Sequence, residues 1–199
     1  MYSPDLSMLP PITVFDVETT GLDPRTGHRI VEIAGVRIEG GVILRDSAFV
    51  SFVNPEREIP IEAQRVNKIS RDDVISSPTI DVVLPQFLDF SKGSTLLAHN
   101  APFDMGFLDH EKQFCWGYIE LPECLCTGQL FKSVFPREYR WNLDVVSAKF
   151  GLVRPTNRHR ALADVLLTAE ALLKMLEIGN IRSMEELRRR AGVPQLSVK

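Results

Sequence analysis

The chain has 199 residues, of which 44% are hydrophobic and 25% are charged, and its formal net charge is −3 at pH 7. This length suits one domain with a well-formed core, and no second block of distinct composition is present. Residues 1 to 11 lack the basic flank and apolar core of a signal peptide or membrane anchor, and three cysteines without zinc-site spacing indicate reduced thiols. We therefore expect a cytoplasmic protein with no membrane partner, made of a flexible N-terminus (1-11), one domain (12-178) and a helical tail (179-199).

The first predicted element is a buried strand over residues 12-18, in which Asp16 and Glu18 interrupt an apolar run that ends in a turn at Thr19. Side chains alternate across a strand, so both acids point to the same face, about 6.5 to 7 Å apart along it. They could be a solvated strand end or salt-bridge partners, but no basic residue lies closer in sequence than Arg25. Two like charges at the edge of a core are costly without a cation between them, which favours a divalent metal ion.

Two further strands and a helix are predicted next. Strands over 29-39 and 43-53 flank Gly40-Gly41, which is typical of a hairpin turn. A helix is predicted near 79-91. This meander of strands, followed by alternating helices and strands, indicates an α/β fold.

A second group of polar residues follows a short strand predicted over 95-98. The chain leaves this strand through His99 and Asn100, and a proline, which a first helical turn accepts, precedes the helix predicted over 103-115. Asp104 then lies in the first helical turn just beyond a strand end, where ligands bind in open α/β sheets. Asp104 could equally complement the helix dipole, and the two preceding residues could serve as turn and capping residues.

The strongest helical pattern begins near residue 160, after helices predicted to follow residues 127 and 142. Apolar residues at three-and-four spacing run up to Gly179. Asp164 interrupts this apolar face, and a lone acid inside an apolar helix is usually a functional or paired group. His159 lies five residues earlier, about 140° away on an ideal helix, so we expect it to project from the loop or first turn. A last short helix is predicted from Ser183 to Gly192.

The negative net charge hides a basic stretch between Thr127 and Arg160, where seven Lys and Arg residues stand against two acids. Phe135, Tyr139 and Trp141 interleave with these cations. Clustered cations can steer a phosphate backbone, and exposed aromatic rings can stack on unpaired bases. Each of these residues could also be part of an ordinary solvated surface, with its aromatic neighbours turned into the core.

Three ordered motifs thus carry the acids: Asp16-x-Glu18-Thr-Thr-Gly-Leu, His99-Asn-Ala-Pro-Phe-Asp104 and His159-Arg-Ala-Leu-Ala-Asp164. Together they closely resemble the three motifs of the DEDDh family of 3′ to 5′ exonucleases, typified by the proofreading epsilon subunit of bacterial DNA polymerase III. The resemblance covers roughly residues 12 to 176, and three ordered motifs are far more specific than any one alone. It implies a ribonuclease H-like mixed sheet flanked by helices, the exonuclease fold, with 12-178 as the exonuclease domain.

The resemblance also implies a role for each matched residue. Asp16, Glu18, Asp104 and Asp164 would hold two divalent cations, Mg²⁺ or Mn²⁺, and His159 would be the general base for the attacking water. The terminal nucleotide would be bound by residues of the first two motifs: Thr19, Thr20, Gly21, Leu22, His99, Asn100 and Phe103. The family often has a histidine where this chain has Asn67, whose amide could supply the same hydrogen bond to the substrate.

The expected activity is removal of nucleoside 5′-monophosphates from single-stranded or frayed DNA 3′ ends, in proofreading or repair. Two alternatives stay open: an RNA-directed exoribonuclease resembling ribonuclease T or oligoribonuclease, and a catalytically silent nucleic-acid-binding module. All five catalytic positions are filled, which argues against the silent module. A DNA polymerase is a candidate partner. A sliding clamp is another, because Gln195-Leu-Ser-Val-Lys199 resembles clamp-binding pentapeptides, although it lacks their hydrophobic ending.

Overall fold

The computed structural model describes residues 9–153 and 160–192, and six strands in these ranges form one mixed sheet. The strands are β1 (Ile12–Thr19), β2 (Ile30–Glu39), β3 (Val42–Ile43), β4 (Phe49–Phe52), β5 (Thr95–Ala98) and β6 (Cys124–Cys126). Their order is β3-β2-β1-β5-β6, with β4 also paired to β2. β1 runs antiparallel to β2 and parallel to β5, and β5 runs parallel to β6. The prediction of an α/β mixed sheet is confirmed.

The hairpin between β2 and β3 forms where it was predicted. Gly40 and Gly41 both have positive φ, 55° and 79°, the left-handed conformations that a tight hairpin turn requires. The single strand predicted over 43-53 is wrong. A 3-10 turn at Arg45–Ser47, whose side chains are exposed, divides it, and the chain then pairs with another stretch of β2 as β4.

Helices lie on both faces of the sheet: α1 (Ile61–Asn67), α2 (Arg71–Val74), α3 (Ile80–Phe90), α4 (Ala101–Glu111), α5 (Thr127–Val134), α6 (Leu143–Lys149), α7 (Ala161–Ile178) and α8 (Met184–Ala191). The predictions near 79-91 and after 127, 142, 160 and 183 are confirmed. α4 begins two residues before the predicted helix and ends at Glu111, where a 3-10 turn follows. α1 and α2 were not predicted, because seven and four residues are too short to show a helical period. Across the described residues, no helix is both long and apolar enough to span a bilayer.

Two apolar layers cover the sheet. Because successive residues of β1 point to opposite faces, Val14 packs into the layer that contains Val165 and Leu172 of α7. Phe15 packs into the opposite layer with Phe87 of α3. By the same alternation, side chains at positions 16 and 18 lie on the face that α7 covers.

One buried ion pair joins α4 to the start of β2. The Glu111 side chain is 1% exposed, and its carboxylate accepts hydrogen bonds from Arg29 Nε at 2.9 and 3.0 Å and from the Ile30 backbone N–H at 2.9 Å. The cation and the N–H group together neutralise and satisfy this acid, which is the usual condition for burying a carboxylate.

Candidate active site

Three acidic side chains meet where β1 ends under the first turn of α7. One carboxylate oxygen from each of Asp16, Glu18 and Asp164 lies within 4.8 Å of the others. The strand alternation puts the first two on one face, and α7, packed across β1 and β2, supplies the third from above. Asp164 is buried, while Asp16 and Glu18 are half-buried. The arrangement presents several carboxylate oxygens to a common point.

Asp104 lies beside this cluster and is held by the backbone of β1. Its Oδ1 accepts a hydrogen bond from the Val17 N–H at 3.2 Å, and its side chain is buried. The pairing of β1 with β5 ends at Val14 opposite Leu97, because β5 stops at Ala98 and the chain turns into α4. Beyond that pairing, the edge of β1 that faced β5 no longer has a strand as its neighbour. Asp104 therefore sits against the strand segment that lies between the two acids of β1.

Burial is the largest cause of raised pKa values in this group of acids. Burial raises the pKa of Asp16 well above its usual value, and repulsion from Asp104, Glu18, Asp164 and Glu32 raises it further. Burial, followed by repulsion from Asp164, raises the pKa of Glu18 to about 9. The pKa of Asp104 rises to about 8 through burial, although the hydrogen bond from Val17 opposes this. Such a cluster favours bound protons or bound cations over free carboxylates.

Glu32 is a buried acid beside the cluster that the sequence analysis did not single out. It lies opposite Glu18 in the antiparallel pairing of β1 and β2. Its carboxylate accepts a hydrogen bond from Arg160 Nη2 at 2.7 Å and one from the Ala161 N–H at 3.1 Å. Because Ala161 is the first residue of α7, these contacts position the helix that carries Asp164. An acid inside an apolar strand, the same signal that pointed to Asp16, could have identified it.

A cavity of about 600 Å³ opens next to Glu18. Six residues predicted to bind substrate line it: Thr19, Thr20, Gly21, Leu22, Asn67 and Phe103. The Leu22 side chain is 84% exposed at this site. Asn67 is buried, and its amide donates from Nδ2 to the Thr19 carbonyl at 3.2 Å and accepts at Oδ1 from the Ile69 N–H at 3.0 Å. Asn67 thus ties α1 to the turn after β1, and its hydrogen bond to a substrate stays a prediction.

His28 also lines this first cavity, and the sequence analysis did not identify it. Its Nδ1 is 3.1 Å from Thr20 Oγ1, which itself accepts a hydrogen bond from the Arg29 N–H at 3.0 Å. A Cβ at Gly21 would lie 2.3 Å from His28 Cε1, so only glycine allows the imidazole to pack there. The turn that follows Glu18 is therefore held in shape by contacts with His28 and with the backbone of Arg29.

His99 and Asn100 line a second cavity of about 470 Å³, which they share with residues 139–143. His99 is anchored by a 2.8 Å hydrogen bond between its Nδ1 and Thr127 Oγ1. Asn100 has a φ of 67° at the junction between β5 and α4, and Phe103, three residues on, lines the first cavity instead. The structure thus divides the predicted substrate residues between two cavities.

Two predictions fall on residues that the structure does not describe. His159, the predicted general base, lies outside the described residues, as does the segment Gln195 to Lys199 that resembles a clamp-binding peptide. The boundaries predicted for the domain and its terminal segments also stay predictions.

Comparison with known sequences relates this chain to nucleases. The profile of a family described as "Exonuclease" (RNase_T) matches residues 13–172. A protein named DNA polymerase III subunit epsilon, from Rickettsia conorii, is 38% identical over 168 residues, which cover 82% of this chain and 72% of that protein.

Solved structures have the same fold. A structure titled "Exonuclease X in complex with 5′ overhanging duplex DNA" superposes with a TM-score of 0.71 at 26% identity, over 90% of this chain and 97% of the other. The nuclease domain of 3′hExo, described as a DEDDh family member bound to rAMP, superposes with a TM-score of 0.75 at 20% identity, over 89% and 94%. These structures confirm the predicted exonuclease fold, a ribonuclease H-like mixed sheet. The predicted resemblance to the exonuclease family typified by the epsilon subunit is confirmed by the family profile and by the relatives of that name.

Proposed function

The chain belongs to the exonuclease family, and on this premise we propose that it is a divalent-metal-dependent 3′ to 5′ exonuclease that releases nucleoside 5′-monophosphates from single-stranded or frayed DNA ends. The observation that carries the proposal is the convergence of Asp16, Glu18 and Asp164 within 4.8 Å, with Asp104 held against the same strand. The relatives named as DNA polymerase III epsilon subunits favour DNA as the substrate and proofreading or repair as the role.

The acids fit a pair of Mg²⁺ or Mn²⁺ ions. These ions prefer carboxylate oxygens, and three acids converge at the end of β1 with Asp104 beside them. Burial and repulsion between the acids raise the pKa values of Asp16 and Glu18. Asp16, Glu18, Asp104 and Asp164 would hold the ions. When bound, such a pair lowers the pKa of the attacking water and stabilises charge on the attacking and leaving oxygens of an in-line displacement.

Residues of the chain would accept the proton of the attacking water and bind the terminal nucleotide. His159 would accept the proton of the attacking water, a role that rests on its place in the third motif. The first cavity would hold the terminal nucleotide, with exposed Leu22 packed against its base and Thr19 near its 3′-hydroxyl. Thr19 Oγ1 donates to the Gly21 carbonyl at 2.6 Å, so the turn that would bind the sugar is already formed.

The partner and location are proposed on the same grounds. Association with a DNA polymerase is supported by the names of the relatives. A cytoplasmic location is supported by the cysteine usage of the sequence.

A 5′-labelled single-stranded DNA, incubated with Mg²⁺ or Mn²⁺, tests the proposal. We expect a ladder of products shortened from the 3′ end, release of 5′-monophosphates, and complete loss of products with a chelator. A sequence-matched RNA strand, run in parallel, is expected to be degraded more slowly. Shortening from the 5′ end, activity that survives chelation, or preference for the RNA strand would contradict the corresponding part of the proposal.

A further inference from the structure

The imidazole of His28 lines the first cavity, although neither the converging acids nor the expected contacts with the terminal nucleotide involve it. It is half-buried and lies between the turn after β1 and the start of β2. The two ring nitrogens of an imidazole are strong hydrogen-bonding groups, so each is either satisfied by the protein or available to a ligand. The partners of the two nitrogens therefore decide what this ring can do in the cavity.

The first ring nitrogen of His28, Nδ1, is satisfied by the hydroxyl of Thr20. Thr20 is only 1% exposed, and its Oγ1 lies 3.1 Å from Nδ1 and accepts a hydrogen bond from the Arg29 N–H at 3.0 Å. Within the described part of the chain, Nδ1 is the one acceptor in hydrogen-bonding reach of this buried hydroxyl. Because a buried hydroxyl donates its proton where an acceptor is present, Thr20 donates to Nδ1. The neutral ring then carries its own proton on the other nitrogen, Nε2.

The second ring nitrogen, Nε2, is a donor that the fold leaves open. Among residues 9–153 and 160–192 it has no hydrogen-bond partner, and the protein does not enclose it. Asp23, an acid of the same cavity, is already occupied, because its carboxylate accepts from Arg25 Nε at 3.0 Å and from Arg25 Nη2 at 2.9 Å. The cavity therefore holds one N–H donor that is free to bind an acceptor on a ligand.

The position of this donor is fixed next to Leu22. A Cβ added to Gly21 would lie 2.3, 2.4 and 2.5 Å from Cε1, Nδ1 and Nε2 of His28, so the ring edge that carries both nitrogens packs directly on the glycine. Gly21 immediately precedes Leu22, which is 84% exposed in the same cavity. A base that packs against Leu22 therefore lies beside the edge of the ring that carries Nε2.

We propose that His28 binds the base of the terminal nucleotide, with Nε2–H donating a hydrogen bond to a carbonyl oxygen or ring nitrogen on the edge of that base. The contact rests on the proposed exonuclease function, since that function places the terminal nucleotide in the first cavity. Every natural base carries such acceptors, so the contact holds the terminal base without selecting one sequence. It makes turnover depend on the polar edge of the base, and a terminal residue that lacks acceptors is removed more slowly.

Two substrates separate the hydrogen bond from packing. Both are oligothymidylates with a 5′ label, one ending in thymidine and the other in the deoxynucleoside of 2,4-difluorotoluene, which keeps the shape of thymine but lacks its carbonyl oxygens. For the wild-type protein we expect kcat/KM to be roughly five- to tenfold higher on the thymidine end, mainly through KM, because one hydrogen bond contributes a free energy of that order.

Two substitutions of His28 separate binding of the base from support of the turn. In His28→Asn the amide oxygen lies about where Nδ1 was, so Thr20 keeps an acceptor, but the side chain is too short to place a donor at Nε2. We expect this variant to lose the preference for thymidine, because the thymidine end is removed more slowly and the analogue at an unchanged rate. The amide of His28→Gln reaches as far as Nε2, and this variant should retain part of the preference.

A matched control is His110, which is also half-buried, packs against the ring of Phe114 and lines neither cavity. His110→Asn is expected to leave the ratio of the two kcat/KM values unchanged. A purely structural role of His28 would slow both substrates by the same factor in His28→Asn. That result, or a wild-type protein without preference between the two ends, would overturn the proposed contact.

A binding measurement keeps this test separate from the proposed function. If the wild-type protein hydrolyses neither substrate, the exonuclease proposal fails, and fluorescence anisotropy of the same two labelled strands still tests the contact. A dissociation constant that is roughly five- to tenfold lower for the thymidine end in the wild type, and equal for both ends in His28→Asn, supports it. Equal affinities in the wild-type protein, or no binding of either strand, contradict it.

Discussion

Two groups of acids are buried or half-buried around the same sheet, but their surroundings differ. One group is Glu111 and Glu32, and the other is Asp16, Glu18 and Asp164. Each of the first two accepts hydrogen bonds from an arginine and from a backbone N–H group. The other three present their oxygens to one another within 4.8 Å, and burial, followed by repulsion from neighbouring acids, raises the pKa values of Asp16 and Glu18.

The difference separates structural acids from acids that bind a ligand. A carboxylate neutralised by an arginine and a backbone donor has its charge and lone pairs satisfied within the fold. Carboxylates that converge on one point destabilise the folded state unless protons or cations bind there. Removal of a structural acid should therefore lower the stability of the fold and leave turnover intact. Removal of a converging acid should lower turnover and leave the stability equal or higher.

The largest expected effect follows Asp16→Asn. This change removes a charged metal ligand and relieves repulsion, so we expect turnover to fall by at least about 1,000-fold, while the melting temperature stays equal or rises. Steady-state hydrolysis of single-stranded DNA and thermal unfolding without added metal measure the two quantities. A near-normal rate, or clear destabilisation, would remove the distinction between the two kinds of acid.

The reverse pattern is expected for Glu111→Ala. The substitution leaves the guanidinium of Arg29 and the Ile30 N–H without their acceptor in a buried site, so the free energy of unfolding should fall by roughly 3 to 5 kcal/mol. Turnover per folded molecule should be unchanged. Asp109→Ala is the matched control: its ion pair with Lys112 is exposed, with side-chain exposures of 67% and 39%, and its loss should cost less than about 1 kcal/mol.

The pH dependence of stability provides a third test. Glu18 has a pKa of about 9 and Asp104 one of about 8 in the folded protein, against usual values of 4.5 and 3.8. The folded state therefore binds more protons than the unfolded chain, and the stability contributed by these groups is lost as the pH rises from about 4 to about 9. Cations that take the place of the protons should raise the melting temperature by several degrees near pH 9 and very little near pH 5.

Thermal unfolding with Mn²⁺ and with a chelator at several pH values measures this increment. Asp16→Asn serves as the control, in which the cation-dependent increment should largely disappear. An increment that is the same at pH 5 and pH 9 would show that cations and protons do not compete for these acids.

The smallest effect is expected at Glu32, which is paired with an arginine as Glu111 is but lies opposite Glu18, beside the converging acids. Glu32→Gln keeps an acceptor for the Ala161 N–H but removes the negative charge that neutralises Arg160. The positive charge of Arg160 also lowers the pKa of Glu18. We expect the Mg²⁺ concentration for half-maximal rate to rise by roughly tenfold. The double change Glu32→Gln and Arg160→Gln should recover part of this loss. An unchanged Mg²⁺ requirement would assign Glu32 to structure alone.

The sequence predicted those parts of the site that depend on local periodicity. The alternation of a strand placed Asp16 and Glu18 on one face, and the apolar period of the helix after residue 160 marked Asp164 as an exception. Asp104 was predicted to follow a strand end, which is where the structure has it. Each of these inferences needs only the period of one element.

Contacts between distant parts of the chain could not be predicted in this way. Glu32 lies beside Glu18 only because of the register between β1 and β2, and its arginine comes from 128 residues further along the chain. Asn67 contacts the turn after β1 through α1, a helix too short to show a period. The second cavity combines the start of α4 with the loop before α6, and no sequence motif joins these segments.

Calorimetric titration of the protein with Mn²⁺ at pH 7, for the wild type and for Asp16→Asn, tests most directly whether the converging acids form a cation site. The account predicts saturable binding of about two ions per chain, accompanied by release of protons that shows as a dependence of the heat on the buffer, and loss of at least one of these ions in the variant. Absence of saturable binding, or identical binding by the two proteins, would contradict it.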